Sequence, residues 1–394
     1  MTTPAGRGGV LMVTGAYLPE LSGGGLQCRT MIHALRETMR FEVLTTCTDP
    51  ALPGHEIVEG IPVTRVFVDV RRWRTKVAAL VRVTRFFIRH HARFAVVHLH
   101  GYSQKSAAII LLARLFGKKT VLTIHTAGHD EASGARAMGR VASWGYGQVD
   151  RYVAISTRLA RNYLEAGLPP ERLHVAPNGL DITRFRPPEA GECEEALHAL
   201  GLRDDVRWIL FVGFFSREKA PDVLFEAWLR LRETESTPTG LLLVGATEGV
   251  YHEVDATLAR DIQARAAALG LTDLVRITGP RADIERAYHA ADVLAMPSTR
   301  EAFGMVLVEA MASGLPVVAT RLEGVTDEIV EDGVTGWLVP PRDPEALSEV
   351  LARVCADSAA AQAMGARGRE AVVARYGLEA ARTRWLSLYR GLAP

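Results

Sequence analysis

The chain has 394 residues, of which 48% are hydrophobic, and its formal net charge is +1. This length exceeds what one hydrophobic core usually serves, and its 35 Gly and 19 Pro are ordinary for a globular protein. No apolar run is long enough to span a membrane, and segment 10–13, which follows a polar start at 1–9, is too short for a signal-peptide core. These features predict a soluble globular protein of two domains and exclude a membrane-spanning one.

Cysteine spacing bears on the cellular compartment. Cys28, Cys47, Cys193 and Cys355 are isolated in the sequence, and no Cys-x-x-Cys pair occurs. Scattered thiols are typical of a reducing cytosol rather than of a disulfide framework or a zinc site. We therefore expect a cytoplasmic protein.

The small net charge conceals a difference between the two halves. Up to Pro187 there are 25 Lys and Arg against 13 Asp and Glu, and beyond it there are 21 against 32, so the halves carry +12 and −11. Summed charge acts on association and partner choice rather than on the fold. The first half is therefore expected to meet an anionic partner.

Strand-like and amphipathic runs alternate along the whole chain, which predicts parallel sheets covered by helices. In the first half the predicted strands are 10–14, 41–46, 61–68, 94–100, 120–125, 150–155 and 174–176. In the second half they are 208–212, 241–244, 275–278, 293–296, 317–319 and 337–339. A segment rich in proline and arginine at 184–188 predicts the linker between them.

This pattern predicts an α/β protein of two Rossmann-like domains. The N-terminal domain is expected to comprise residues 1–187 and the C-terminal domain residues 188–377, with a helix at about 378–394 packed back on the first domain. Ligands of open α/β sheets bind outside the carboxyl ends of the strands. Two such domains facing each other would form a central cleft at those ends.

The first predicted strand leads into a glycine run at Gly23, Gly24 and Gly25, before a helix predicted over 26–38. Glycines at a strand-to-helix turn let backbone N–H groups approach a phosphate, although such a run is more often a flexible turn. Its spacing is not the G-x-G-x-x-G of dinucleotide-binding proteins, which disfavours a nicotinamide dehydrogenase.

Residues 71–93 contain eight Lys and Arg and no acid. Apolar residues recur at roughly helical spacing in this stretch, so it could be a surface helix for anionic lipid. It could equally be a helix that covers the sheet and keeps its arginines in solvent. An acidic glycan acceptor or a lipid-linked one would suit it, whereas no nucleic-acid-binding module accompanies the basic residues.

Histidines end two neighbouring predicted strands. His98 and His100 end one strand and share a face, and His125 ends the next. Histidines at strand tips can hydrogen-bond sugar hydroxyls, although a histidine in such a place is often only a satisfied polar cap. His100 is therefore a possible sugar contact.

The segment 297–320 is the most informative part of the chain. A strand runs through a Pro-Ser turn into a helix predicted to begin near Phe303 and end at Gly314. Glu301 precedes the first turn, where N–H groups and the helix dipole attract anions. Glu309 lies six residues past Phe303 in the sequence, about 9 Å along the axis. Two such glutamates could also be ordinary capping and solubilising residues.

The spacing Glu301-x7-Glu309, with Phe303 and Gly304 between them and Ala-Met-Ala-Ser-Gly-Leu-Pro-Val-Val-Ala at 310–319, closely resembles the signature of the retaining glycosyltransferases of family 4. That resemblance implies a GT-B fold, with the N-terminal domain on the acceptor side and the C-terminal domain binding a nucleotide-diphosphate sugar.

The resemblance also assigns roles within the signature. It implies that Glu301 lies against the donor sugar and orients it during catalysis. The backbone of Gly304 and Met305, after Phe303, would hold the diphosphate, and Glu309 would take the ribose hydroxyls.

Outside the signature, the resemblance makes His125 a catalytic residue beside the donor sugar and Gly24 a donor-binding residue, since the family carries a Gly-Gly loop there. Lys219 matches the lysine of a Gly-Arg-x-x-x-x-Lys element that neutralises the leaving diphosphate, but Phe214 stands at the arginine position. Arg217 could replace that arginine in donor binding, or the change could lower donor affinity or abolish activity.

The same resemblance places Pro280 and Arg281 near the nucleotide base. It implies retention at the anomeric carbon through a front-face, ion-pair-like step in which the departing phosphate accepts the acceptor's proton. No Asp-x-Asp motif occurs, so no metal and no cofactor besides the donor are expected.

The predicted function is therefore transfer of a hexose to a lipid-linked, glycan or small-molecule acceptor. The predicted location is the cytoplasm, with peripheral contact at the inner face of the membrane through Arg71 to Arg93 in one interpretation. A sugar-nucleotide epimerase of the same fold and a non-catalytic donor-binding protein remain as alternatives. No nucleic-acid partner is expected.

Overall fold

The computed structural model describes residues 8–20, 22–69, 71–234, 237–248 and 254–392. The predictions for residues 1–7 and for the last two residues lie outside this part of the chain. The chain divides into two compact units, one comprising Met1–Gly179 with Leu378–Pro394 and the other Leu180–Gly377.

The first unit is built on an eight-stranded sheet with the order β3-β4-β2-β1-β5-β6-β7-β8. Its strands are β1 (Gly9–Thr14), β2 (Phe41–Cys47), β3 (His55–Val58), β4 (Ile61–Phe67), β5 (Phe94–His100), β6 (Lys119–Ile124), β7 (Arg151–Ala154) and β8 (Leu173–Val175). Its helices up to Gly179 are α1 (Gly23–Leu35), α2 (Trp73–His90), α3 (Gln104–Leu115), α4 (Ala132–Ala137), α5 (Arg140–Gly147) and α6 (Thr157–Glu165). All seven strands predicted in this half are present and mutually parallel.

Strand β3 was not predicted. It pairs antiparallel with β4 at the edge of the sheet, through a tight turn at Glu59 and Gly60, whose φ angles are 52° and 84°. Its residues alternate between exposed and half-buried, and Ile57 is 71% exposed. A strand of four residues whose isoleucine faces solvent shows too little hydrophobic alternation for sequence reasoning to detect.

The second unit contains a six-stranded, fully parallel sheet with the order β11-β10-β9-β12-β13-β14. Its strands are β9 (Arg207–Val212), β10 (Thr239–Val244), β11 (Val275–Thr278), β12 (Val293–Met296), β13 (Val317–Thr320) and β14 (Trp337–Val339). Its helices are α7 (Glu192–Leu200), α8 (Pro221–Thr234), α9 (Ala256–Ala268), α10 (Glu285–Ala290), α11 (Met305–Ala312), α12 (Pro344–Ala356) and α13 (Ser358–Tyr376). The six predicted strands are all present.

The last helix, α14 (Leu378–Arg390), belongs to the first unit. Trp385 and Tyr389 are buried in the same apolar cluster as Ile32 of α1. The chain at Gly179 passes close against α14, because a side chain there would come within 2.7 Å of Trp385. The apolar face of α14 therefore completes the core of a sheet that lies far earlier in the sequence.

Residues 180–187 group with the second unit, whereas the predicted boundary followed Pro187. Leu180 donates its backbone N–H to the Tyr376 carbonyl at 2.8 Å, and Arg186 forms a bidentate pair with Glu192. These contacts attach the segment to α7 and α13 of the second unit. Its proline and arginine content predicted a linker, because the contact between Leu180 and Tyr376 joins residues that are far apart in the sequence.

In each sheet the order of the parallel strands reverses at one point, between β1 and β5 in the first unit and between β9 and β12 in the second. Ligand sites of open parallel sheets form outside the carboxyl ends of the strands at such a point. Among the residues described, none of the helices combines the length and apolar content that crossing a bilayer requires.

Candidate functional site

In the second unit, two charged side chains meet at the point where the strand order reverses. Lys219, in the turn between β9 and α8, and Glu301, in the loop after β12, form an ion pair with 2.5 Å between Nζ and Oε1. The Ser298 hydroxyl donates to the same carboxylate oxygen at 2.9 Å. The side chains of Lys219 and Glu301 are 26% and 11% exposed, so a fixed positive charge and a fixed carboxylate lie together in a largely desolvated place.

The backbone holds the two loops that carry this pair. The N–H of Thr299 donates to the Glu218 carbonyl at 2.7 Å, which joins the loop after β12 to the turn after β9. Within that turn, the Ser216 hydroxyl accepts from the N–H of Lys219 at 3.2 Å. Lys219 and Glu301 are therefore positioned by hydrogen bonds that do not use their charged atoms.

Helix α11 begins at Met305, two residues later than predicted, and ends at Ala312. Its N-cap, Gly304, has a φ of 101°, a conformation in which any side chain would be strained. Phe303 is buried and packs edge-to-face on Tyr376 at 5.5 Å, so it anchors the turn. The first-turn N–H groups of a helix lack intrahelical acceptors, and this turn presents them directly after Glu301 in the chain.

Glu309, on α11, is half-buried rather than on a solvated face. The Tyr288 hydroxyl donates to its Oε2 at 2.7 Å. Burial raises the pKa of Glu309 to about 7, against the opposite effects of the Tyr288 hydrogen bond and the Arg184 charge. A solubilising surface glutamate would have neither this partner nor this pKa, so the simple surface interpretation does not fit Glu309.

Arg217 and Phe214 do not join the Lys219–Glu301 pair. The Arg217 Nε lies 2.9 Å from Asp255 and its Nη1 lies 3.6 Å from Asp222, and the side chain is 61% exposed. Phe214 is 37% exposed, whereas its neighbour Phe215 is buried in the core. The structure thus places Arg217 on a pair of aspartates.

Pro280 and Arg281 follow β11, at the carboxyl edge of the same sheet. Pro280 is exposed, and Arg281 donates to Asp283 at 2.8 Å with its side chain 25% exposed. The strand that they follow, β11, is separated from β12 by two strands, β10 and β9.

In the first unit, the glycine run is part of helix α1 and not a loop before it. The helix begins at Gly23, and the Ser22 hydroxyl accepts from the N–H of Gly25 at 3.0 Å. A side chain at Gly25 would come within 2.4 Å of the Ala16 carbonyl, so glycine permits the close approach of α1 to the segment that follows β1. The serine cap extends the helix towards its N-terminus by one turn beyond the predicted start at Leu26.

Gly24 lies next to the predicted histidine. A side chain at Gly24 would be 3.5 Å from the His125 ring and 3.6 Å from the His100 carbonyl oxygen. The structure therefore brings together Gly24, His100 and His125, which sequence reasoning had selected separately.

The three histidines have different surroundings. His98 is fully buried and bonds the Tyr389 and Thr123 hydroxyls, both at 2.7 Å, so it is a satisfied core residue. His100 Nδ1 lies 3.0 Å from His125 Nε2, and the two rings stack with 5.2 Å between centroids. Burial lowers the pKa of His98 to about 3 and of His125 to about 4, and the pKa of His100 lies well below its ordinary value for the same reason. All three rings are therefore neutral at pH 7.

Asp130 was not identified from the sequence. Its carboxylate is buried and accepts the backbone N–H groups of Tyr102 at 2.8 Å, His125 at 3.0 Å and Thr126 at 2.9 Å. It thereby ties the segment after β5 to the segment after β6. A short-range hint existed, because an aspartate four residues after Thr126 is placed to accept from a turn backbone.

Two α/β units with parallel sheets, each with polar groups at its point of reversal, define the architecture of a GT-B glycosyltransferase. Anabaena HepE, crystallised in complex with UDP and glucose, has the same fold with a TM-score of 0.79 and 20% identity over 98% of this chain and 100% of that one. A sucrose-phosphate synthase from Thermosynechococcus elongatus matches with a TM-score of 0.78 and 25% identity over 98% and 99% of the two chains. The predicted fold class is confirmed.

Sequence comparisons define the family. Residues 194–371 match the model of the glycosyl transferases group 1, and residues 22–179 match the glycosyl transferase 4-like domain. A D-inositol 3-phosphate glycosyltransferase 1 from Catenulispora acidiphila is 31% identical over 93% of this chain and 92% of its own length. A D-inositol 3-phosphate glycosyltransferase from Thermobifida fusca is 38% identical over 56% of this chain and about half, 52%, of its own. The chain belongs to family 4 of the glycosyltransferases, the glycosyl transferases group 1, as its signature predicted.

Proposed function

We propose that this protein transfers a hexose from a nucleotide-diphosphate sugar to a hydroxyl group of an acceptor, with retention at the anomeric carbon and without a metal. The observation that carries the proposal is the Lys219–Glu301 pair at the reversal point of the second sheet, directly before the start of α11. A cation and helix N–H groups suit a diphosphate, and a carboxylate suits sugar hydroxyls. The UDP and UDP-glucose complexes of HepE support a donor of this class.

In the proposed reaction, Lys219 and the first-turn N–H groups of α11, from Met305, stabilise the charge that develops on the departing diphosphate. The bond between the anomeric carbon and the phosphate oxygen breaks, and the acceptor oxygen bonds to that carbon on the same face. The acceptor proton passes to the departing phosphate oxygen. Glu301 orients the sugar, and most of the rate comes from positioning and electrostatic stabilisation.

Binding of the nucleoside is assigned to Glu309, whose carboxylate would accept the two ribose hydroxyls, with Pro280 and Arg281 near the base. In the first unit, Gly24 and His125 would contact the donor from a neutral surface, and His100 would do so next to them. Neutral imidazoles suit this role because each ring can donate a hydrogen bond to a hydroxyl or accept one from it. A neutral ring is also hydrated less strongly than a charged one.

For the acceptor, we propose a molecule that is itself anionic or linked to a lipid. The charge of +12 on residues 1–187 supports this class, and so do the relatives named for D-inositol 3-phosphate. We also propose that the protein works in the cytoplasm, in contact with the inner face of the membrane.

Phe214 favours one other function, that of a non-catalytic donor-binding protein, because it stands where the family has an arginine. A panel of UDP, GDP and ADP sugars tests both functions. A donor at 100 times its Kd should stabilise the fold by about 2.7 kcal/mol. Stabilisation with release of nucleoside diphosphate only in the presence of acceptor supports the transferase, whereas stabilisation without turnover supports the binding protein. Epimerised donor without acceptor would identify an epimerase, and no stabilisation by any donor would refute the proposal.

A further inference from the structure

Helix α2 has an outer apolar stripe that its own domain does not use. At 100° per residue, five large side chains fall within about 100° of the helix circumference. They are Trp73, Val77, Leu80, Val81 and Ile88, which are between 49% and 69% exposed. Single exposed apolar residues are ordinary, but a stripe along the full length of a helix is typical of an interaction surface.

A different face of α2 attaches the helix to the sheet. Ala79, Phe86 and Phe87 are buried, and Phe87 packs edge-to-face on Phe94 of β5 at 5.6 Å. Ala79 and Phe86 lie roughly 150° and roughly 170° around the helix from the centre of the outer stripe, and Phe87 lies about 70° from it. The side chains of the outer stripe are therefore not needed to pack the core of the domain and are available to contact a partner.

Cations flank the outer stripe. Five exposed side chains on α2 have no carboxylate within 4 Å among the residues described, and they are Arg74, Lys76, Arg82, Arg85 and Arg89. A second copy of this chain would bring the same cations against them, and the repulsion disfavours a dimer through this face. A partner surface that has negative charges above an apolar layer complements both the cations and the apolar stripe of α2.

The neighbouring helix extends this surface. Helix α3 packs beside α2, where the rings of His91 and Phe116 stack at 4.4 Å just past the two helix ends. Leu111 and Leu115 of α3 are 53% and 74% exposed. Apolar exposure thus continues from α2 onto α3.

We propose that the outer surface of α2, with Leu111 and Leu115 of α3, docks on a bilayer containing anionic phospholipid. The apolar stripe would enter the acyl boundary and the cations would contact the head groups. This inference rests on the proposed function for its purpose, which is to hold the enzyme where a membrane-borne acceptor is presented.

The position of α2 in the first sheet fits that purpose. Its first turn follows the carboxyl end of β4, and β4 runs parallel to β2, β1 and β5. Trp73 is therefore at the same edge of the sheet as His100, where β5 ends. An acceptor anchored in the bilayer would enter at that edge.

Co-sedimentation with vesicles tests the proposal, using phosphatidylglycerol mixed with phosphatidylcholine and, in parallel, phosphatidylcholine alone. We expect wild-type protein to sediment with the anionic vesicles at low salt and to be released at high salt, because screening weakens the cationic contacts. Replacing Arg82, Arg85 and Arg89 with Gln should weaken the partition on the order of a hundredfold, since each cation contributes about a factor of five. The matched control replaces Arg260, Arg276 and Arg353 of the second unit with Gln and should bind like wild type.

A second variant separates docking from simple charge attraction. Val77→Ser, Val81→Ser and Ile88→Ser together keep every charge and should still lower binding to anionic vesicles at least tenfold. Thermal melting should be unchanged, because these side chains are exposed. Donor-dependent stabilisation, measured without vesicles, should also be unchanged, so that its absence would count against the proposed function alone.

Three outcomes would overturn the docking proposal. They are no sedimentation at low salt, equal loss in the control variant, and unchanged binding of the serine variant. A dimer that the serine substitutions convert to a monomer would instead assign the surface to a second copy of the chain.

Discussion

The carboxyl edges of the two sheets carry different chemistry. In the second unit the edge holds a charged pair, Lys219 and Glu301, with 2.5 Å between their charged atoms. In the first unit it holds His100 and His125, which burial keeps neutral. A diphosphate needs fixed charge, whereas sugar hydroxyls need only hydrogen bonds, so under the proposed function the second unit would stabilise the leaving group.

Of the variants considered, loss of Lys219 should have the largest effect on this difference between the two units. Lys219→Ala removes the cation and leaves Glu301 without its ion-pair partner, so turnover should fall on the order of a hundredfold or more. Steady-state rates with a saturating donor measure the effect. Turnover within twofold of wild type would show that the leaving-group charge is stabilised elsewhere.

Glu301→Ala should affect turnover more than donor affinity, because its contact matters most at the reacting sugar. We expect a decrease in kcat of roughly tenfold to a hundredfold with a much smaller change in donor KM. Glu349→Gln, on an exposed face of α12, is the matched control. An equal change of KM and kcat in the Glu301 variant would contradict the assigned role.

The histidine edge and Glu309 should differ in their response to pH. The pKa of Glu309 is about 7, so the carboxylate that we propose accepts the ribose hydroxyls becomes protonated as the pH falls from 8 to 6. Donor affinity should decrease by up to tenfold per pH unit below the pKa, whereas the neutral histidines do not titrate in this range. Calorimetric titration of a nucleoside diphosphate between pH 6 and 8 measures this decrease in affinity.

Two variants sharpen that test. Glu309→Gln should flatten the pH profile and weaken binding by roughly 1.5 to 3 kcal/mol, since a charged acceptor is lost. Tyr288→Phe removes a hydrogen bond that lowers the pKa of Glu309, so the midpoint should move to higher pH. An unchanged midpoint in the Tyr288 variant would show that the hydroxyl does not position this carboxylate.

The raised pKa of Glu309 also affects the fold. Relative to an ordinary value of about 4.3 in the unfolded chain, the folded carboxyl binds its proton more tightly. Its cost to stability is therefore absent below the unfolded pKa, grows as the pH rises towards 7, and is complete above it. Thermal melting of Glu309→Gln should show a gain over wild type at pH 8 that disappears at pH 4.

Arg217→Ala should have the smallest effect. Had Arg217 replaced the arginine missing at Phe214, its loss would be nearly as harmful as that of Lys219, but its guanidinium is paired with Asp255 and Asp222. We expect turnover within a few fold of wild type. A loss approaching that of Lys219→Ala would show that Arg217 turns towards the donor, and a gain from Phe214→Arg would show that the arginine was lost and not relocated.

Sequence reasoning found the elements that bury apolar faces and missed what depends on contacts between distant segments. The parallel strands were recognisable from their apolar runs, but the exposed hairpin strand β3 was not. Helix α1 was predicted to start at Leu26 because the glycines looked like a turn, and the Ser22 cap reverses that preference. Local capping outweighs the low helix propensity of glycine here.

Sequence reasoning named candidate site residues one by one, but it could not predict how they are arranged in space. Lys219 and Glu301 are 82 positions apart, and nothing in their spacing indicates that they pair. Tyr288 and Asp130 escaped notice for the same reason, since each hydrogen-bonds to a group in another segment of the chain. Partners of this kind become visible only when the loops after the strands are placed in space.

Affinities for a nucleoside diphosphate and for its monophosphate most directly test the claim that the second unit binds the donor diphosphate through Lys219. Calorimetry with UDP and UMP, GDP and GMP, and ADP and AMP isolates the contribution of the second phosphate. For the nucleotide that binds, we predict that wild type and Arg217→Ala prefer the diphosphate and that Lys219→Ala loses most of this preference. Equal preference in Lys219→Ala and wild type would contradict the assignment.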